Sequence, residues 1–128
     1  MKFDKIVMID DEPIINAIQA ITIKEHFPGT EIIKTNFPQD ALEIIKKYNE
    51  ADNKLLIFLD LNMPVLSAKD VLDQLDDVHF KHKPVIFILT FSKNPEEIEE
   101  VANHPYVKEL FMKPINKEKI KAILSLLD

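Results

Sequence analysis

Three aspartates, a threonine and a lysine stand at the ends of short apolar runs in this chain, and together they could handle a phosphoryl group. "IVMIDD" ends in Asp10 and Asp11, "LLIFLD" in Asp60, "VIFILT" in Thr90 and "LFMK" in Lys113. An oily run gains nothing in packing from a terminal carboxylate. Carboxylates held close together repel, and a hard cation relieves that repulsion. With one or two direct carboxylates and water in the other positions, Mg2+ is the natural occupant. Asp60 could then act as a nucleophile towards phosphorus and form an aspartyl phosphate. The cation and Lys113 would offset charge on the phosphoryl oxygens, and Thr90 could donate a hydrogen bond to one of them. Each residue alone would pass as a helix cap, a turn former or a solvated loop residue. Their order along the chain is what suggests a site.

These residues meet only if the runs are neighbouring parallel strands. Apolar runs occupy Lys5–Ile9, Glu31–Thr35, Leu55–Leu59, Pro84–Leu89 and Val107–Met112. "IVMI", "LLIF" and "VIFIL" have almost no polar alternation, which suits strands covered on both faces. Segments of helical spacing lie between them. Ile14, Ala17, Ile18 and Ile21 form the predicted packing stripe of the first. Ala41, Leu42 and Ile45 form that of the second, and Val71, Leu72 and Leu75 that of the third. Ile98, Val101 and Ala102 follow, and then Ile120, Ile123, Leu124 and Leu127. Start signals agree: Pro13 and Pro95 fit first helical positions, Ser67 with Asp70 has the form of a capping box, and Asn116 can cap the last helix. The expectation is an α/β fold over one domain, residues 1–128: a doubly wound five-stranded parallel sheet of order 2-1-3-4-5, flavodoxin-like, built from five βα units. Strand ends then share one edge, and strands one and three adjoin at the switch point where ligands bind.

Composition removes other chemistries. The formal net charge is −6, which argues against a direct nucleic-acid surface. There is no cysteine, so no thiolate metal site and no thiol nucleophile. Gly29 is the only glycine, which excludes phosphate-cradling and dinucleotide-binding glycine loops. No run could span a membrane and the N-terminal apolar stretch is too short for a secretory segment, so a cytoplasmic location without membrane contact is expected.

With these residues in place, "IVMIDDEP", "LLIFLDLNMP", "VIFILT" and "LFMKPI" resemble the response-regulator receiver domain of two-component signalling, over essentially the whole chain. The resemblance implies that Asp10 and Asp11 hold Mg2+, that Asp60 accepts the phosphoryl group, and that the backbone carbonyl of Asn62 completes the metal site. It implies Thr90 as the switch hydroxyl, Lys113 as the phosphoryl-contacting lysine, and often a cis Lys113–Pro114 bond. It also implies a signalling switch rather than an enzyme. The partners would be a histidine kinase or histidine phosphotransfer domain and a downstream protein of unknown identity. The chain departs from the family pattern at Ala68, where Gly is usual, at Leu110, where an aromatic is usual, and at Phe91, where a small residue is usual.

Two rivals fit less well. A haloacid-dehalogenase-type phosphatase needs Asp-x-Asp after the first strand, and Asp10-Asp11-Glu12-Pro13 does not supply it. A flavodoxin-like carrier needs a hydroxyl-rich phosphate loop where this chain has two acids. His79 and His82 have the spacing of a helical metal pair but sit among lysines in a predicted turn. Ile15 and Ile23 fall outside the first helix's stripe and are the expected members of any docking patch there.

Overall fold

The computed structural model describes residues 2–128. Five strands, β1 (Lys5–Ile9), β2 (Glu31–Thr35), β3 (Leu55–Asp60), β4 (Val85–Thr90) and β5 (Val107–Met112), form one parallel sheet of order β2-β1-β3-β4-β5. Helices α1 (Pro13–His26), α2 (Ala41–Glu50), α3 (Ala68–Leu75), α4 (Pro95–Ala102) and α5 (Lys117–Leu127) connect and flank them. The predicted architecture and strand order are therefore both present. Asp60 and Thr90 are the last residues of β3 and β4, one step further into their strands than the apolar runs alone suggest.

Period-two alternation divides the core between the two faces of the sheet. Val7, Ile9, Ile57, Leu59, Ile86 and Ile88 pack towards α2, α3 and α4. Ile6, Met8, Leu56, Phe58, Phe87 and Leu89 pack towards α1 and α5. Phe58 and Phe87 stack with ring centroids 5.8 Å apart, tying β3 to β4 on the second face. Every residue of β3 is buried, because this central strand is covered on both sides. Burying each such side chain stabilises the fold by roughly 1.5–3 kcal/mol, so the strand that carries Asp60 is firmly held.

Local signals start the helices where expected. Pro13 and Pro95 occupy first turns. Ser67 Oγ accepts from the Asp70 backbone N–H while an Asp70 carboxylate oxygen accepts from the Ser67 N–H, a reciprocal capping box. Asn116 Oδ1 accepts from the Lys119 N–H. The Lys113–Pro114 peptide bond is cis. Helix α4 is held lightly: only Val101 is fully buried, with Ile98 half-buried and Ala102 exposed.

Helix α1 reverses the expectation. Ile14, Ile18 and Ile21 face solvent at 75%, 56% and 65% exposure, while Asn16, Gln19, Ala20 and Ile23 are buried. Ile23, expected to be surplus, is core, and Ile15 is half-buried. The reason lies in what α1 covers. Its first turns pass over the ends of β1 and β2, where backbone carbonyls and Asp10 need polar partners. Asn16 Nδ2 donates towards Thr35 O at 3.2 Å, Asn36 Oδ1 at 3.3 Å and Met8 O at 3.4 Å, joining both strand ends to the helix. An isoleucine facing in at that position would leave those acceptors without this donor, so the carboxamides face in and the isoleucines face out.

The two histidines with metal-like spacing lie in the loop between α3 and β4. His82 Nε2 is 2.9 Å from Asp52 Oδ1, and Asn49 holds the loop backbone by accepting from Lys81 N and donating to His79 O. They are tethers at the edge of the sheet opposite the strand C-termini.

Candidate functional site

The C-terminal strand ends bring the candidate residues together around one ammonium group. Lys113 follows β5, and its backbone N–H donates to Thr90 O at 2.8 Å, which anchors it beside β4. Its Nζ lies 2.6 Å from Asp10 Oδ2 and 3.1 Å from Asp60 Oδ1. Asp10, Asp60, Thr90 and Lys113 are all buried. On the other side of Lys113, the Lys119 ammonium donates to the carbonyls of Met112 and Pro114, the residues flanking Lys113. The loop bearing the lysine is therefore pinned from α5.

Charge is concentrated and incompletely balanced. Asp10 Oδ1 accepts from the Glu12 N–H, and its Oδ2 accepts from Lys113. Burial pushes the Asp60 carboxyl up to about 6; Lys113 pulls the other way, and the charges of Asp10 and Asp11 add to the rise. Burial works against the Lys113 ammonium, but its hydrogen bond to Asp10 and the charges of Asp60 and Asp10 outweigh that and hold it above its usual range. Ligand oxygens of Asp10, Asp11 and Glu12 lie within 4.8 Å of one another; Asp60 stands outside that trio and joins it through Lys113. Asp11 is half-buried, and Asn62 lies exposed in the loop beyond β3. The donor set is all hard oxygen, and its excess negative charge disfavours an ionised Asp60. Both features suit a small divalent cation such as Mg2+.

Thr90 Oγ1 accepts from the Ser92 N–H at 2.8 Å, so its own proton is free to be donated elsewhere. Ser92 Oγ in turn donates to Glu97 Oε2 at 2.9 Å, linking the loop after β4 to the first turns of α4. The Phe91 ring, 55% exposed, has its centroid 5.3 Å from Lys113 Nζ. Ser92, Lys119, Asn16 and Gln19 were not singled out from sequence. The available signal for the last two was a pair of carboxamides three residues apart in the otherwise apolar stretch from Ile14 to Ile21.

A five-stranded parallel sheet with carboxylates and a lysine buried at its switch point defines the class: a doubly wound α/β domain with an acidic pocket at the strand ends. Within that class, this chain belongs to the response regulator receiver domain family, whose model matches residues 6–125. Solved structures agree in fold. A response regulator signal receiver domain from Bermanella marisrubri superposes with a TM-score of 0.80 at 17% identity, covering 99% of this chain and 100% of that one. A two-component response regulator from Cytophaga hutchinsonii gives 0.79 at 20% identity over 99% and 98%. The chemotaxis response regulator CheY4 of Vibrio cholerae gives 0.72 at 21% over 98% and 99%. Among curated proteins, none matches the sequence significantly. No described helix is long and apolar enough to cross a membrane.

Proposed function

We propose that residues 1–128 act as one phosphoryl-accepting receiver domain that takes its phosphoryl group from a phosphohistidine onto Asp60. The observation that carries this reading is the buried Asp10–Lys113–Asp60 cluster at the switch point of a receiver fold. An Asp60 carboxylate oxygen attacks phosphorus, the phosphorus–nitrogen bond to the donor imidazole breaks, and the ring, already protonated on its other nitrogen, keeps the bonding electrons and leaves as neutral imidazole. Mg2+, held by Asp10, Asp11, Asp60 and the Asn62 carbonyl, would supply positive charge for the phosphoryl oxygens. Lys113 supplies a second positive charge, and Thr90 donates its free hydroxyl proton. The chain works as a signalling switch in the cytoplasm, with output through protein contacts. The test is incubation with acetyl phosphate and Mg2+. One acid-stable, base-labile phosphoryl group per chain, mapped to Asp60, is the expected result; continuous turnover of acetyl phosphate without accumulation would favour a phosphatase instead.

The exposed stripe of Ile14, Ile18 and Ile21 begins beside the acidic pocket and is the proposed docking face for the kinase or phosphotransfer partner. Ile18→Asp is expected to slow phosphotransfer from that partner at least tenfold, equivalent to about 1.4 kcal/mol, while leaving the rate with acetyl phosphate unchanged. Equal losses with both donors would show damage to the site itself.

Phe91 governs how long the phosphoryl group survives. Its exposed ring lies 5.3 Å from Lys113 Nζ, where it would shield a phosphoryl group on Asp60 from water. Phe91→Ala should speed hydrolysis by up to about tenfold and cost less than roughly 1 kcal/mol of stability, since the ring is largely exposed. A mutant that keeps its phosphoryl group as long as wild type in the same Mg2+ buffer would make the ring a packing choice without kinetic meaning.

A further inference from the structure

Gln19 lies on the buried face of α1 at 4% exposure. Its Nε2 donates towards Asp10 Oδ2 at 3.5 Å, while its Oε1 is buried with no partner among the described residues. The amide cannot be turned over, because that would set an oxygen against the carboxylate. A buried acceptor without a donor is a liability in the fold, and methionine would fill the same volume without it. Asn16 Oδ1 is likewise buried without a partner among the described residues, but the Asn16 nitrogen is engaged by the strand ends and the Asn36 side chain, whereas that of Gln19 is engaged by Asp10. Gln19 therefore meets the acidic cluster through its Nε2, at Asp10.

The geometry points to Gln19 as a positioning residue for the cation: its N–H orients Asp10, and its free oxygen accepts a hydrogen bond from a water in the cation's shell. This deepens the Mg2+ reading of the site and rests on it. Mg2+ keeps several of its waters when bound, so acceptors outside the direct ligands have protons to meet. Such outer partners change metal affinity by about 10–100-fold when removed. In this role the unpartnered oxygen is costly only in the metal-free protein. Holding Asp10 by a neutral donor also leaves its charge available, whereas a second lysine there would compete with the cation.

Calorimetric titration of Mg2+ into wild type, Gln19→Met and Gln19→Glu, with melting measured in chelator, tests this. Gln19→Met should melt roughly 3 °C higher without metal, because the orphan acceptor is gone, yet bind Mg2+ about tenfold more weakly. Gln19→Glu keeps an acceptor at the same place but loses the N–H and sets a second carboxylate against Asp10, so it should melt lower than wild type in chelator and bind Mg2+ at least as tightly. It also decides the matter should Gln19→Met fail to fold. Wild-type Mg2+ affinity in Gln19→Met, or affinity as weak in Gln19→Glu as in Gln19→Met, would overturn the role of Gln19 and leave the metal site standing. Failure of the wild type itself to bind Mg2+ would overturn both.

Discussion

Replacing Asp60 with asparagine is expected to end phosphoryl acceptance and, in the same protein, to raise the stability of the metal-free fold at neutral pH. The first effect follows from the proposed chemistry, since a neutral amide is no nucleophile here. The second follows from the native environment. Burial first, with Asp10 and Asp11 adding to it, pushes the Asp60 carboxyl up to about 6 despite Lys113. A carboxyl in the unfolded chain titrates near 4, so between about pH 4 and about pH 6 the native state binds the proton more tightly than the unfolded state. Stability therefore falls as pH rises through that window, and the loss is complete above about 6. Two pKa units, discounted for the site's partly open side, correspond to about 2 kcal/mol. Asparagine carries no such charge. Urea denaturation in chelator should find Asp60→Asn more stable than wild type by about that amount at pH 7, with the advantage gone near pH 4. An advantage that grew as pH fell would refute the assignment.

Lys113→Met is expected to have the largest destabilising effect. The ammonium bridges two buried carboxylates, and its removal leaves Asp10 and Asp60 facing each other without it. Taking one partner from a buried ionic cluster costs about 3–5 kcal/mol. Asp60, whose carboxyl is already pushed up to about 6, can escape part of that cost by taking up a proton, so the loss should be greatest at pH 7 to 8 and shrink towards pH 5. Mg2+ should restore more stability to this mutant than to wild type, because it replaces the missing positive charge. Denaturation midpoints with Mg2+ and with chelator check this. A loss under about 1 kcal/mol at pH 7 would mean that solvent already balances the site.

The strands were legible because covered parallel strands leave continuous apolar runs. β1, β2 and β5 match the expected bounds; β3 extends one residue further, to Asp60, and β4 is displaced by one residue, Val85–Thr90 in place of Pro84–Leu89. Pro13, Ser67 and Asn116 marked helix starts through local chemistry that does not depend on the rest of the fold. Helix α1 was misread because it has apolar residues around most of its circumference. Its spacing supports the set 14, 17, 18, 21 as readily as the set 15, 19, 20, 23, and the choice is made by acceptors supplied from β1 and β2. The burial of Lys113, the Phe91 ring beside it and the Ser92–Glu97 link are likewise products of distant segments meeting, and no local pattern announces them.

Helix α4 buries only Val101 completely and is joined to Thr90 through Ser92 and Glu97, so little energy holds it in place. Withdrawing one valine-sized side chain from the core costs roughly 1.5–3 kcal/mol. A single hydrogen bond to a charged group contributes about the same, 1.5–3 kcal/mol. Two placements of α4 separated by that gap would be occupied in a ratio of roughly ten or a hundred to one. A phosphoryl group drawing both Thr90 and Lys113 towards Asp60 would then have enough differential energy to invert the ratio without disturbing the sheet. On the proposed function, a partner reading α4 would then sense a ratio of placements, one that loosening the Ser92–Glu97 link would also shift.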